Sequence, residues 1–353
     1  MNNKKKVLFF TPGSVGGSER MTVTIAKFLP LDRYNVKFVI VDQPGAAIEK
    51  FIPDNYPIIY LKLRNIWDFT ILRMAKIMHK EKPDYVFCSL RYMAVHMIAA
   101  AKLVGGIECI VRSDNDMHRA KKHNVFLMKL TFPFCKWIIA QQDEMRQELL
   151  DWLPLKKEKV ITLQNPLDIT TITKKLGNTI NPFPANENVN YVWVGRFNLT
   201  KGQDILTKAF SLVKKRIVNA HLYLVGSYDV NSEVYRRVMT IINSEKLTDS
   251  VHLVGYDNNP YRWMKFCSCF VLPSRFEGLP NALVEAMYIG CPVVATRCIP
   301  IIDRIVDNGK NGYVVESENV EELARRMVDV LSLKKTPFIY HPAKPEDFIN
   351  LFC

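Results

Sequence analysis

Nowhere among the 353 residues is there an apolar run near the ~18 residues a helix needs to cross a bilayer, so no membrane span is expected. The start, Met1-Asn2-Asn3-Lys4-Lys5-Lys6, has the charge of a secretory n-region. The apolar run behind it, residues 7–10, falls short of the ~7–15 residues of an h-region and breaks at Pro12-Gly13. It is expected to be a first strand instead. No internal repeat occurs, and no Ser–His–Asp or Cys–His arrangement can be nominated from spacing. Cys267 and Cys269 alternate on an expected strand and therefore face opposite sides, a poor arrangement for metal ligands. The eight cysteines, several inside apolar runs, read as buried free thiols of a reducing, cytoplasmic compartment. Cys88, His96 and His221 sit in apolar periodic contexts and read as core residues.

What the chain does have is an ordinary globular composition, 48% hydrophobic and 24% charged, at a length sufficient for two domains. Its net charge of +13 is less ordinary and is unevenly placed. Residues 1–180 hold 28 Lys/Arg against 17 Asp/Glu, whereas residues 181–353 hold 20 against 18. A basic first half beside a near-neutral second half implies an anionic partner of the first half, a membrane surface or nucleic acid.

Short Val/Ile/Phe-rich runs at 7–10, 36–41, 58–61, 85–89, 108–112, 137–140 and 160–163 read as strands. Helical patterns at 19–29, 69–80, 93–104 and 142–151 lie between many of them. A second series follows at 191–194, 222–225, 251–254, 269–272, 293–295 and 313–315, with a helix at 320–331 near the end. Apolar strands separated by helices predict parallel sheets covered on both faces. The expected architecture is α/β: two Rossmann-like, doubly wound parallel-sheet domains facing a central cleft. Residues 1–164 form the first domain, a Pro/Thr/Asn-rich stretch at 165–187 the linker, and 188–353 the second domain, whose last residues are free to pack back on the first.

The stretch from Phe276 to Ala286 follows an apolar strand stopped by Pro273 and leads into a helical pattern. Pro280 suits the first helical position. The amides of Gly278 and Leu279 at the helix start offer an anion site. Glu277 in the loop and Glu285 in the second turn can both address a ligand above it, because helical side chains lean toward the N-terminus. Earlier, Thr200-Lys201-Gly202-Gln203 fits a capping box, with Thr200 as N-cap and Lys201 in the first turn. A lysine there is misplaced against the helix dipole unless it holds an anion, and Arg196 stands ready to add a forked contact. Arg196 and Lys201 thus read as a phosphate clamp at the carboxyl end of a strand.

These residues carry a family resemblance. Val194-Gly195-Arg196-Phe197 with Lys201-Gly202, then Leu224-Val225-Gly226, Leu253-Val254-Gly255, and Leu272-Pro273-Ser274 with Glu277-Gly278-Leu279-Pro280 and Glu285-Ala286, resemble the nucleotide-sugar-binding domain of glycosyltransferase family 4. Gly16-Gly17-Ser18-Glu19-Arg20 is similar to that family's N-terminal glycine motif, and Gln164-Asn165-Pro166-Leu167-Asp168 to its entry into the linker. The resemblance implies a retaining enzyme of the GT-B fold. It implies that Arg196 and Lys201 neutralise a donor diphosphate, that Glu285 binds the ribose hydroxyls and that Glu277 binds the sugar hydroxyls. Gly17 would let the backbone approach the phosphates or the acceptor, and residues 253–257, with Val254, would flank the base. With cations at the leaving group, no metal or other cofactor is expected. Retention without an enzymatic nucleophile implies that the leaving phosphate receives the acceptor proton.

The sequence departs from the family in two places. The histidine usual after the fifth strand is replaced by Arg112-Ser113-Asp114-Asn115-Asp116, with His118 beyond, so either Asp114 or His118 contacts the sugar. The glycine pair usual after 293–296 is replaced by Arg297-Cys298-Ile299-Pro300. Asp114-Asn115-Asp116 resembles a metal-binding D-x-D but reads as a turn. Residues 119–137 interleave Arg119, Lys121, Lys122, Lys129 and Lys136 with Phe126, Leu127, Met128, Leu130, Phe132 and Phe134, which fits either a packing helix ended by Pro133 or a segment touching anionic lipid. The basic first half favours the lipid.

The expected activity is transfer of a hexose or N-acetylhexosamine from a nucleoside-diphosphate sugar, UDP-linked, to a lipid-linked glycan in surface polysaccharide synthesis. The acceptor would be a polyprenyl-diphosphate glycan, a lipopolysaccharide core or a glycolipid, and the enzyme peripheral on the inner face of the cell membrane. The alternatives are an NAD-dependent oxidoreductase using Gly13, Gly16, Gly17 and Asp42, which lacks the G-x-G-x-x-G spacing, and a basic nucleic-acid-binding protein, which lacks a recognisable module.

Overall fold

Val7, Leu8, Phe9 and Phe10 are all buried, and they alternate between two cores: Leu8 and Phe10 in one, Val7 and Phe9 in the other. A strand that buries both faces belongs inside a sheet covered on both sides. The computed structural model describes residues 4–62, 70–113, 121–177, 179–184, 187–333, 338 and 340–353. They divide into two units, Met1–Pro166 with Pro342–Cys353, and Leu167–His341.

The first unit is built on β1 (Lys5–Pro12), β2 (Tyr34–Val41), β3 (Ile58–Tyr60), β4 (Tyr85–Cys88), β5 (Glu108–Arg112), β6 (Trp137–Ala140) and β7 (Val160–Thr162). They lie in the order β3-β2-β1-β4-β5-β6-β7, every pairing parallel. Phe9 sits at the centre of one face, with ring centroids 5.0 Å from Phe87, 5.8 Å from Phe38 and 5.9 Å from Phe352. Phe352 comes from the last turn of the chain. The helix Pro345–Ile349 and the turn after it place Phe348, Leu351 and Phe352 in this core.

The second unit carries β8 (Val189–Val194), β9 (Ala220–Val225), β10 (Val251–Gly255), β11 (Cys269–Leu272), β12 (Val293–Thr296) and β13 (Gly312–Val315), in the order β10-β9-β8-β11-β12-β13, again all parallel. Tyr191, Trp193, Cys269 and Val271 point into the core under the helix Gln203–Lys214, while Val192, Phe270 and Leu272 join the core under Asn281–Tyr288. Each sheet reverses its strand order once, at β1/β4 and at β8/β11. Such switch points open a crevice at the carboxyl ends of the strands. The two doubly wound sheets are those expected, and all thirteen strands lie within two residues of their expected ends.

Of the stretch expected as a linker, 165–187, the described residues from Leu167 onward belong to the second unit. Asp168 accepts the Thr171 amide at 3.0 Å and starts the helix Ile169–Gly177, which buries Ile172. Phe183 then packs edge-on against Tyr223 (4.8 Å) and Trp263 (5.3 Å). Two apolar anchors are enough to fold a segment whose composition is that of a loop. No disulfide joins the eight cysteines, and six of them are buried.

Candidate active site

The crevice of the second unit opens where β8 and β11 end. After β8 the Asn198 side chain accepts the Thr200 amide at 3.0 Å, closing a tight 3-10 turn, Leu199–Lys201. Gly202 then takes a left-handed conformation (φ 69°), and the long helix begins at Gln203. A Cβ on Gly202 would stand 1.9 Å from the Pro273 carbonyl, so only glycine lets the two loops meet. This corrects the expected capping box. Asn198, not Thr200, makes the cap, and Lys201 lies ahead of the helix rather than in its first turn. At the other helix the start is one residue later than expected: Pro280 is the cap of Asn281–Tyr288, and its carbonyl accepts the Leu283 and Val284 amides.

The loop after β11 is strapped to the loop after β8. The Thr200 carbonyl accepts the Arg275 amide at 2.8 Å and the Phe276 amide at 3.3 Å. The Arg275 guanidinium forks onto Asp204 (2.8 and 2.9 Å), binds Glu318 and reaches the Leu199 carbonyl. The bonds from Asp204 raise the Arg275 pKa further against its burial. Burial pushes the Asp204 carboxyl up, but the bonds and charge of Arg275 and nearby amides outweigh it and hold the group below its ordinary value. Nothing in the sequence pattern marks Arg275 or Asp204, which are 71 residues apart.

Within this frame the Lys201 ammonium lies 2.6 Å from Oε2 of Glu277, which is only 7% exposed. Oε1 of Glu277 accepts the Ser274 hydroxyl at 2.7 Å. The two residues expected to serve separate parts of a ligand are thus paired. An ammonium has three N–H donors, and Glu277 takes one, which leaves two for an anion. Burial, together with the charge of Glu277, pushes the Cys298 thiol up to about 12, so it stays protonated beside the carboxylate. Arg196 is exposed at the end of β8 and forms no ion pair among the described residues; its carbonyl accepts the Gln203 amide nitrogen at 3.3 Å.

Glu285 is in the second turn of its helix, as expected, and its carboxylate accepts the Tyr261 hydroxyl at 3.4 Å. Leu279 is a core side chain, so its share in an anion site is confined to its backbone beside Gly278. Val254, at the end of β10, lines an open depression of about 370 Å³ with Tyr256, Asp257, Asn258 and Arg262. Burial raises the Asp257 carboxyl, but the Asn259 amide, Trp263 and Arg262 together hold it below its ordinary value. Gly195, Gly226 and Gly255 stand at the ends of β8, β9 and β10. A Cβ on Gly226 would lie 1.6 Å from the Gly195 carbonyl.

In the first unit Gly17 is the exposed first residue of the helix Gly17–Phe28. Asp114, Asn115, Asp116, His118 and Arg119 lie outside the described residues. Just before them, buried Arg112 donates to Asn165, a contact that sequence reasoning missed. Where the family's glycine pair is absent, the Arg297 Nε–H is shared between the two carboxylate oxygens of Asp303, at 2.8 and 3.0 Å.

Two doubly wound parallel sheets, one with cations and carboxylates gathered at its switch point, are the arrangement of GT-B glycosyltransferases. Solved structures agree in fold. Anabaena HepE in complex with UDP-glucose superposes with a TM-score of 0.75 at 19% identity, covering 93% of this chain and 90% of that one. Staphylococcus aureus TarM, in a complex that includes UDP, gives 0.78 at 14% identity over 99% of each. The family model for glycosyl transferases group 1 matches residues 180–344, and that for glycosyltransferase family 4 matches residues 15–171. The chain belongs to the family 4 type of glycosyltransferase.

Among curated relatives, a Campylobacter jejuni N-acetylgalactosaminyltransferase named for a diphospho-undecaprenol-linked acceptor is 25% identical, covering 93% of this chain and 90% of its own. The Staphylococcus aureus capsular polysaccharide glycosyltransferase CapH is 32% identical over 64% of this chain and 62% of its own. The oxidoreductase alternative finds no support in these matches. A Cβ on Gly13 would meet the Asp42 carboxylate at 2.0 Å, so Asp42 is packed over that glycine rather than held away from it.

Proposed function

We propose that this enzyme transfers a hexose or N-acetylhexosamine, with retention, from a UDP-sugar to a lipid-linked glycan during surface polysaccharide assembly, working at the inner face of the cell membrane without a metal. The observation that carries the reading is the Lys201–Glu277 pair at the β8/β11 switch point, with Arg196 exposed at the end of β8. Lys201 and Arg196 meet the diphosphate as charge develops on the leaving oxygen, the step where fixed cations accelerate most. Glu277 orients the ammonium and keeps unused lone pairs for sugar hydroxyls. Glu285 takes the ribose hydroxyls and Val254 flanks the base.

Retention follows if the acceptor hydroxyl attacks the anomeric carbon on the face from which the diphosphate departs. The C–O bond to the diphosphate breaks, the new C–O bond forms, and the acceptor proton passes to the departing phosphate oxygen. The UDP-containing complexes of HepE and TarM support a uridine donor, and the relative acting on an undecaprenol-linked saccharide supports a lipid-linked acceptor. A panel of nucleotide sugars tested for protection against thermal unfolding checks the reading, since only ligands of the native state raise the midpoint. One selective UDP-sugar is expected; protection by none of them would remove it.

A further inference from the structure

The helix Lys122–Thr131 turns Val125 and Met128 inward, and Phe132 is buried just beyond it. A surface helix ordinarily turns a polar face outward. Here Phe126 is 61% exposed and Leu130 55%, with Phe134 at 52% in the turn that follows. These three are spaced four residues apart and so form one outward row across the helix and the turn after it. Leu127 widens the row. The neighbouring helix Arg91–Val104 extends it with Leu103, 65% exposed, and its Lys102 ammonium lies 4.5 Å from the centre of the Phe134 ring. That contact joins the two helices into one apolar face.

The charges carried by these two helices and the turn have a single sign, and the exposed Glu108 lies outside them at the start of β5. Lys102, Lys121, Lys122 and Lys129 are exposed, and no Asp or Glu occurs in residues 85–107 or 121–142. A second copy applied to the same face would set lysines against lysines, so self-association is disfavoured. Anionic headgroups over an apolar interior complement both features, because lysine stems lie along apolar surface while their heads reach phosphate. We propose that this face of the first unit docks on an anionic phospholipid bilayer, with Phe126, Leu130 and Phe134 entering the interface and the lysines on headgroup phosphates. The assignment deepens the reading of a membrane-bound acceptor and is tested separately from it.

The test is co-sedimentation of the full chain with vesicles of phosphatidylcholine alone or mixed with phosphatidylglycerol. The chain is expected to sediment with the mixed vesicles and to be released by salt. Phe126→Ser with Leu130→Ser, and separately Lys122→Glu with Lys129→Glu, are each expected to weaken this partition at least about tenfold. The variants should keep the wild-type melting temperature and the donor-induced rise in it. Equal binding to phosphatidylcholine alone, or unchanged binding by both variants, would overturn the surface. So would a dimer in analytical ultracentrifugation that the Phe126→Ser/Leu130→Ser change dissolves, which would give the face to a second copy. Vesicle binding without any donor-induced rise would keep the surface and remove the proposed UDP-sugar donor.

Discussion

The Lys201 ammonium and the Glu277 carboxylate meet at 2.6 Å, joining the loop after β8 to the loop after β11. The contact holds a nearly buried carboxylate against a cation before any ligand arrives. The cation is therefore already oriented when a diphosphate enters, and two of its protons remain unspent.

Replacing Lys201 with alanine should lower the turnover of sugar transfer by about 100-fold or more, the usual loss when a fixed donor to a developing anion is removed. Steady-state kinetics with a UDP-sugar measure it. Transfer at the wild-type rate would sink the clamp assignment.

Glu285→Ala should act on donor binding instead. Losing a carboxylate's bonds to hydroxyls corresponds to roughly 1.5–3 kcal/mol, or about 10- to 100-fold in Kd by titration calorimetry. Glu285→Gln should recover part of the loss, because its carbonyl still accepts.

Gly202→Ala tests the crossing of the two loops. A left-handed alanine costs about 1–2 kcal/mol before any clash, and here the new methyl would meet the Pro273 carbonyl at 1.9 Å. Urea unfolding should show a loss larger than the backbone term. A variant as stable as the wild type would mean the loops separate freely.

Arg275→Ala removes the fork to Asp204 and leaves that carboxylate short of its partner. A loss of about 2–3 kcal/mol is expected, with weaker donor binding because the Glu277 loop is no longer strapped. Lysine at this position should not restore either property, since it cannot fork.

His221 and His252 face each other on β9 and β10, Nδ1 to Nε2 at 3.0 Å, with Lys214 near both and Tyr223 stacked on His252. Burial, and then the positive charge of Lys214, lower the His221 pKa; burial, then His221 and Lys214, lower that of His252. The folded chain thus binds fewer protons than the unfolded one, so this stability is complete above about pH 6.5 and declines as pH falls toward the depressed values. Unfolding at pH 7 and pH 5 should differ less in the H221Q/H252Q variant than in the wild type. An unchanged difference would place the acid sensitivity elsewhere.

Much of this molecule could be read before its structure. Continuous apolar runs such as 7–10 and 269–272 are strands because both their faces are buried, a property carried by the residues themselves. The strand–loop–helix around Glu277 and the position of Glu285 in a second turn follow from local spacing in the same way. The chain pattern likewise set a basic, apolar segment at 119–137, and only the charge excess of the first half favoured lipid contact over packing.

Only the tertiary structure decided the rest, because the causes lie far away along the chain. Lys201 stands ahead of its helix since Gly202 must pass under a carbonyl at residue 273, and no four-residue capping pattern contains that fact. Its partner lies 76 residues away. Residues 169–177 became a helix and residues 342–353 joined the first unit because each found a core to enter. Local composition sets what a segment can form, while packing between distant segments decides what it does form and which side chains meet.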